Sequence, residues 1–161
     1  TVEFEINALV EVALRALSPG INDPHTALAC IDRLTDGLLL LLDVEPQNHL
    51  VRDEDGRARF LLKLTPFEGH LTAAFEPLRR AAQTSPGTLV KLVSAIRLLQ
   101  ANAKWPRHAA PLDALLDAIR SDAETVLASK VDRDLVIGAL DAAVDERWLV
   151  THESPTARAT S

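Results

Sequence analysis

Ser18, His25 and Asp32 place a hydroxyl, an imidazole and a carboxylate in one short stretch, the groups that acyl transfer by a serine nucleophile requires. In that chemistry the imidazole takes the serine proton and the carboxylate orients the imidazole. The surroundings do not support it: Ser18 lies in Ser18-Pro19-Gly20 without a G-x-S-x-G elbow, and helix surfaces produce such triplets by chance. A hydrolase-like enzyme is therefore the last of three alternatives, and no residue is assigned as catalytic. The same stretch suits anion binding better. Asp23-Pro24 has the form of a helix start, the free N–H groups of a first turn carry partial positive charge, and Arg15 and Arg33 would add full charges. The candidate ligand-binding set is Arg15, Ser18, Gly20, Asn22, Asp23, His25, Thr26, Asp32 and Arg33, and the ligand would be a small anion or a partner's carboxylate. Against this, an Asp23 side chain seated at the cap would occupy those donors and repel a second negative group. The favoured expectation is structural: the loop sets the angle of two core helices, with Asn22 and Asp23 satisfying groups that lack water.

Other chemistries find less support. The chain has five histidines, none with the i, i+4 spacing and glutamate of a zinc hydrolase, and Asp53-Glu54-Asp55 lacks the glutamate that closes a calcium loop, since position 64 is Leu64. The glycines do not follow a phosphate-loop or dinucleotide pattern, so neither metal nor cofactor is expected. A net charge of −6 with scattered acids and 4% aromatic residues argues against a nucleic-acid partner or a polybasic grip on lipid. Cys30, the lone cysteine, reads as a small buried hydrophobe.

The elements that must position these residues are helices. With 161 residues and 47% apolar content the chain can bury one core, and the expectation is one domain over 1–150 with a flexible tail over 151–161. The fold class is mainly α: a bundle of about six helices with a small β-hairpin inserted between the second and third. Val2, Ile6, Leu9, Ala13 and Ala16 give the first helix its apolar face, and Glu11 is spaced to pair with Arg15. Asp23 caps the second helix, where Ala27, Ile31, Leu34, Leu38 and Leu41 form one line and Leu40 falls near the polar side. Leucines 38–42 suggest an end covered all round by the domain or by a second subunit. Asp55-Gly56 marks a hairpin turn over about 48–62.

Thr65-Pro66-Phe67-Glu68 has capping-box spacing and predicts the start of the third helix, with a kink near Pro77. Ser85 caps the fourth, whose Leu89, Leu92, Val93, Ile96 and Leu99 make it the central helix. The fifth, beginning at Arg107 or Pro111, turns Leu112 to Leu127 inward; Asp132 caps the sixth, with Leu135, Val136, Ala139, Leu140, Ala143, Val144 and Trp148 inside.

The run ALSPGINDPHTALACIDRL, residues 16–34, resembles the signature of DUF2254, a bacterial family of predicted membrane proteins of unknown function. Phe4, Ile6, Leu9, Val10, Ala13, Leu14 and Arg15 extend the resemblance upstream, and Thr65-Pro66-Phe67-Glu68 to Phe75 continues it more weakly. Glu5, Asn7, Ala8 and Glu11 depart from the pattern. The resemblance implies transmembrane helices upstream of a soluble C-terminal region. The start at Thr1 and the lack of methionine fit an expectation that this chain is that region. No apolar run approaches the roughly 18 residues of a spanning helix. The whole then reads as a non-enzymatic assembly or regulatory domain of a bacterial inner-membrane protein, facing the cytoplasm and partnered by copies of itself and its own upstream transmembrane region. The alternative is a small-anion or small-ligand sensor.

Overall fold

The structure, a computed structural model, describes residues 1–44, 49–62 and 64–143, with the side chains of 49–51 and 60–62 outside the description. Six α-helices are described: α1 (Val2–Leu17), α2 (Pro24–Leu42), α3 (Phe67–Ala81), α4 (Pro86–Asn102), α5 (Ala109–Val126) and α6 (Lys130–Asp141). A hairpin of β1 (His49–Arg52) and β2 (Ala58–Leu62) separates α2 from α3, and a 3-10 turn over Pro106–His108 leads into α5. The expected class, mainly α with a hairpin insert, is the one observed. None of the described helices is long and apolar enough to cross a membrane.

The helices pack in an order that differs from chain order. α2 lies between α1 and α4, and α4 lies between α2 and α6, so α1 and α6 are the outer members. α3 rests on α1 and α2, α5 rests on α4 and α6, and α3 meets α5. α4 packs against α2, α3, α5 and α6, and Leu89, Leu92, Ile96 and Leu99 are wholly buried on it, as a central helix requires. On α2, Ile31, Leu34, Leu38 and Leu42 are buried, Leu39 and Leu41 are half-buried, and Leu40 is exposed. The leucine run is thus covered on most sides but not all.

Several local expectations need correction. The buried stripe of α1 is Ile6, Val10, Ala13 and Ala16, while Val2 is 44% exposed in the first turn and Leu9 sits on the rim. α3 begins one residue late for a Thr65 capping box: Pro66 is the N-cap, and the Thr65 hydroxyl instead donates to Glu3 Oε1 of α1 at 3.0 Å. Pro77 stands inside α3, which continues through it to Ala81. Ser85 holds the N-cap position of α4, yet its hydroxyl meets Thr88 Oγ1 at 2.9 Å and not a backbone amide. Ser129 caps α6, accepting from the Asp132 amide at 3.3 Å, so Asp132 is a first-turn acid and not the cap. Leu135, placed inside by periodicity, is 53% exposed, and Ala143 is exposed as well. Val126, expected on the inner face of α5, is 39% exposed in its last turn. Val144, Trp148 and the expected tail over 151–161 lie outside the described residues.

The hairpin is antiparallel, with Leu50 opposite Leu61 and a bulge between Val51 and Arg52. Its turn is organised by Asp53, whose Oδ1 accepts from the Asp55 amide at 3.1 Å and the Arg57 amide at 2.8 Å, and whose Oδ2 accepts from Arg59 Nε at 2.9 Å. Gly56 supplies the left-handed residue, with φ 76°.

Candidate functional site

The loop between α1 and α2 is a closed set of backbone bonds. Arg15 carbonyl accepts from the Ser18 amide at 3.2 Å and from the Ser18 hydroxyl at 2.7 Å, which ends α1 and satisfies an orphan carbonyl. Ser18 carbonyl in turn accepts from the Ile21 amide at 3.1 Å and the Asn22 amide at 2.9 Å. The left-handed turn this demands falls on Asn22, with φ 47°, and not on Gly20. Asparagine tolerates that region better than most side chains. The chain then doubles back far enough for the Asp23 amide to donate to Ala16 carbonyl at 2.8 Å, which fixes the start of α2 against the end of α1.

Asp23 caps α2 as its sequence position predicts. Its Oδ1 accepts from the Thr26 amide at 3.2 Å, its Oδ2 accepts from the Thr26 hydroxyl at 2.6 Å, and Pro24 takes the first helical position, where no N–H is needed. The Thr26 hydroxyl, then the Thr26 amide, hold the Asp23 carboxyl below its ordinary range, so it is charged at neutral pH. A carboxylate already fills the donor site that an external anion would use.

The remaining candidate residues point to different partners. Asp32 pairs with Lys91 of α4 at 2.5 Å, and Arg33 lies 3.9 Å from Asp36 with both side chains mostly exposed. His25 is exposed at the first turn of α2. Among the described residues the Arg15 side chain makes neither the expected ion pair with Glu11 nor any other. The serine of the conjectural triad is thus bonded to a backbone carbonyl and its carboxylate to a lysine on another helix. Cys30 is buried at 6% exposure, and burial raises its thiol pKa, the opposite of a reactive cysteine.

Two polar groupings were not foreseen. Arg79 of α3 is gripped by Glu76, with Nε to Oε2 at 2.9 Å and a second bond to Oε1 at 2.7 Å, and it also reaches Asp122 of α5. Gln83 donates to the other Asp122 oxygen at 3.0 Å. This set bolts α3 to α5. Hydrogen bonds from Arg79, then Arg80, bring the Glu76 carboxyl down to about 2 against the desolvation that opposes them. The second grouping is His108, 2% exposed, with its ring 4.7 Å from Phe67 and edge-on to Trp105 at 5.4 Å, while Arg107 lies over Trp105 at 4.4 Å. Desolvation, then the charge of Arg107, lowers the His108 pKa, and its Nδ1 is buried without a hydrogen-bond partner among the described residues. Asp122 was traceable, since it falls between Ile119 and Ala123 on an inward stripe. Among the described residues no three His, Cys, Asp or Glu side chains form a metal-binding group.

Comparison with known proteins gives a coherent result. The family described as "Predicted membrane protein (DUF2254)" matches residues 1–98, from α1 into α4. Uncharacterized protein Rv1290c of Mycobacterium tuberculosis (strain ATCC 25618 / H37Rv) is 26% identical over 144 residues, covering 89% of this chain. Uncharacterized protein Mb1321c of Mycobacterium bovis matches to the same extent. The chain spans 28% of the length of each of these relatives. No solved structure gives a significant match.

Proposed function

Because the chain belongs to the DUF2254 family of predicted membrane proteins, we propose that it is a non-catalytic assembly module of a bacterial inner-membrane protein, facing the cytoplasm and joining copies through its two outer helices. The observation that carries this reading is an apolar stripe left open on each of them. On α1, Phe4 is 72% exposed and Val12 48%, two turns apart with Ala8 between them. On α6, Val131 is 76% exposed and Leu135 53%, one turn apart. Single exposed hydrophobes are ordinary, but an i, i+8 pair on α1 bridged by Ala8 and an i, i+4 pair on α6 lie along one face of each helix, strips that a partner helix can cover. Leu38 to Leu42 contributes only Leu40, at 66% exposure, to such a surface.

The non-catalytic part of the reading rests on the commitments of the loop. Ser18 bonds the Arg15 carbonyl, Asp23 bonds the first turn of α2, and Asp32 bonds Lys91. Concentration-dependent light scattering tests the assembly. The expected result is a mass that rises with concentration and returns to the monomer's in Phe4→Glu and in Val131→Glu. A strict monomer at about several hundred micromolar would overturn the reading, since interfaces with measurable biological affinity form well below that concentration.

A further inference from the structure

One end of the bundle gathers apolar residues that the described residues leave uncovered. α1 starts there and α2 ends there, because the short loop folds the second helix back along the first. Glu3 of α1 meets Thr65 ahead of α3 at 3.0 Å, Asp43 beyond α2 pairs with Lys104 at 2.5 Å, and the Phe67 and His108 rings lie 4.7 Å apart. The approach to α3 and the 3-10 turn therefore share this end. Val2 is 44% exposed there, Val44 54% and Leu64 45%, and Trp105 is half-buried under the Arg107 guanidinium. We propose that this end, with the hairpin rooted in it, lies on the interfacial layer of a phospholipid bilayer.

The hairpin carries the argument furthest. It springs from this end, between Val44 and Leu64, and among the described residues no helix packs closely against either strand. A two-stranded ribbon standing alone is marginal in water and needs further strands or an apolar surface beneath it. Val51 is the cross-strand partner of Phe60, and His49 that of Leu62, so three apolar positions and one histidine share a face. The turn is charged, with Asp53 holding the Arg57 amide and the Arg59 side chain. Such a ribbon is suited to lie along a bilayer surface and not to enter it tip first.

Family membership supplies the medium. The match to predicted membrane proteins covers residues 1–98, which contain all of this end except the 3-10 turn. Trp105, with Lys104 and Arg107 beside it, is the kind of residue set found at a membrane–water boundary, where an indole sits at headgroup level. Charge does not drive the contact. Lys104 is paired with Asp43, Arg52, Arg57 and Arg59 are matched in number by Asp53, Glu54 and Asp55, and Glu3 and Glu68 oppose Arg107. The attraction is apolar, and its strength scales with the apolar area buried. This inference rests on the membrane setting proposed above and not on assembly through α1 and α6.

The test floats the 161-residue chain at neutral pH with vesicles of palmitoyl-oleoyl phosphatidylcholine, and with vesicles in which about a third of that lipid is replaced by phosphatidylglycerol. The expected result is half-maximal binding near about 1 mM lipid, alike within about twofold for the two compositions and unchanged by about 0.5 M salt. Phe60→Asp and Leu64→Asp each weaken binding at least about fivefold, with circular dichroism verifying that the helices remain. Val131→Glu, at the far end where α6 starts, binds as the wild type does. Three results overturn the proposal: no flotation up to about 5 mM lipid, wild-type binding by either folded aspartate variant, or binding that requires phosphatidylglycerol and vanishes in salt. A chain that floats but stays monomeric in light scattering sinks the assembly alone, and one that assembles but does not float sinks this contact alone.

Discussion

Asp23 is where structure and recognition compete for the same donors, so substitutions there separate them. Asp23→Ala removes the acceptor for both Thr26 groups and is expected to lower Tm by about 3 °C, the size of a lost helix cap in a chain of this length. Phosphate, sulfate and dicarboxylates should leave the wild-type Tm unchanged, because the cap carboxylate already occupies the amides. A rise in Tm with any of them, abolished by Arg33→Ala, would return the loop to ligand binding. Gly20 sharpens the distinction. A Cβ there meets nothing within 4 Å and its φ is not in the left-handed region, so Gly20→Ala should be neutral or stabilise by about 0.5 kcal/mol. Asn22→Val, which forces a β-branched side chain to φ 47°, should instead destabilise by about 1–2 kcal/mol. Chemical denaturation of the two variants checks both signs.

At the scale of elements, the junction of α3 and α5 rests on charge. Arg79 and Asp122 have side chains only 11% and 12% exposed, so little solvent screens them. Asp122→Ala leaves Arg79 buried with Glu76 as its remaining carboxylate partner, and should cost about 2 kcal/mol by urea denaturation. The pH dependence follows from Glu76. Its carboxyl drops from 4.5 in the unfolded chain to about 2 in the fold, so between those values the unfolded chain binds the extra proton. The stabilisation is complete above about pH 4.5 and is lost as pH falls toward 2; Tm should drop through that window and Glu76→Gln should flatten the drop. His108 acts on a separate window. Its lowered pKa means that the unfolded imidazole takes up a proton first, so stability begins to fall as pH passes below 6.5.

These junctions also mark what the sequence makes legible. The 3.6-residue period found α2 and α4 because their stripes of leucine, isoleucine and valine are long and their starts carry Asp23-Pro24 and Ser85-Pro86. The apolar stretch of α2 placed Cys30 in the core, and the period set Leu40 near the polar side, where it is exposed although the leucine run suggested an end covered all round. The same period assigned Val2 and Leu135 to the interior, because an end turn or an outer helix keeps its periodicity without a neighbour to cover it. Capping went astray at Thr65, whose hydroxyl Glu3 draws across to α1, and at Asp132, where Ser129 three residues earlier takes the N-cap and accepts from the Asp132 amide. Partners 62 residues apart, like Thr65 and Glu3, or 43 apart, like Arg79 and Asp122, leave no mark on local spacing. For the site, the cap was legible as a motif, whereas the Arg79–Asp122 junction needs α3 and α5 brought together before any pattern exists.

At the scale of the whole molecule, the order α1, α2, α4, α6 puts the two open stripes on different helices, and that determines what kind of assembly they make. Pairing α1 with α1 would set Glu3, Glu5 and Glu11 against their own copies with only Arg15 to offset them, a like-charge penalty. Pairing α1 with α6 brings the acidic flank of one copy toward Lys130, exposed beside Val131 on the other. Such a contact is heterologous: each copy keeps one face of each kind unfilled, so association continues until a ring closes or a filament grows. The consequence is specific. Phe4→Glu retains a competent α6 face and Val131→Glu retains a competent α1 face, so each variant alone should be monomeric. An equimolar mixture should form a heterodimer and stop there, because the only remaining faces are the two damaged ones. Sedimentation velocity on the mixture reads this directly: a species of twice the monomer mass supports head-to-tail assembly through α1 and α6. Dimerisation of Val131→Glu by itself would show instead that α1 pairs with its own copy.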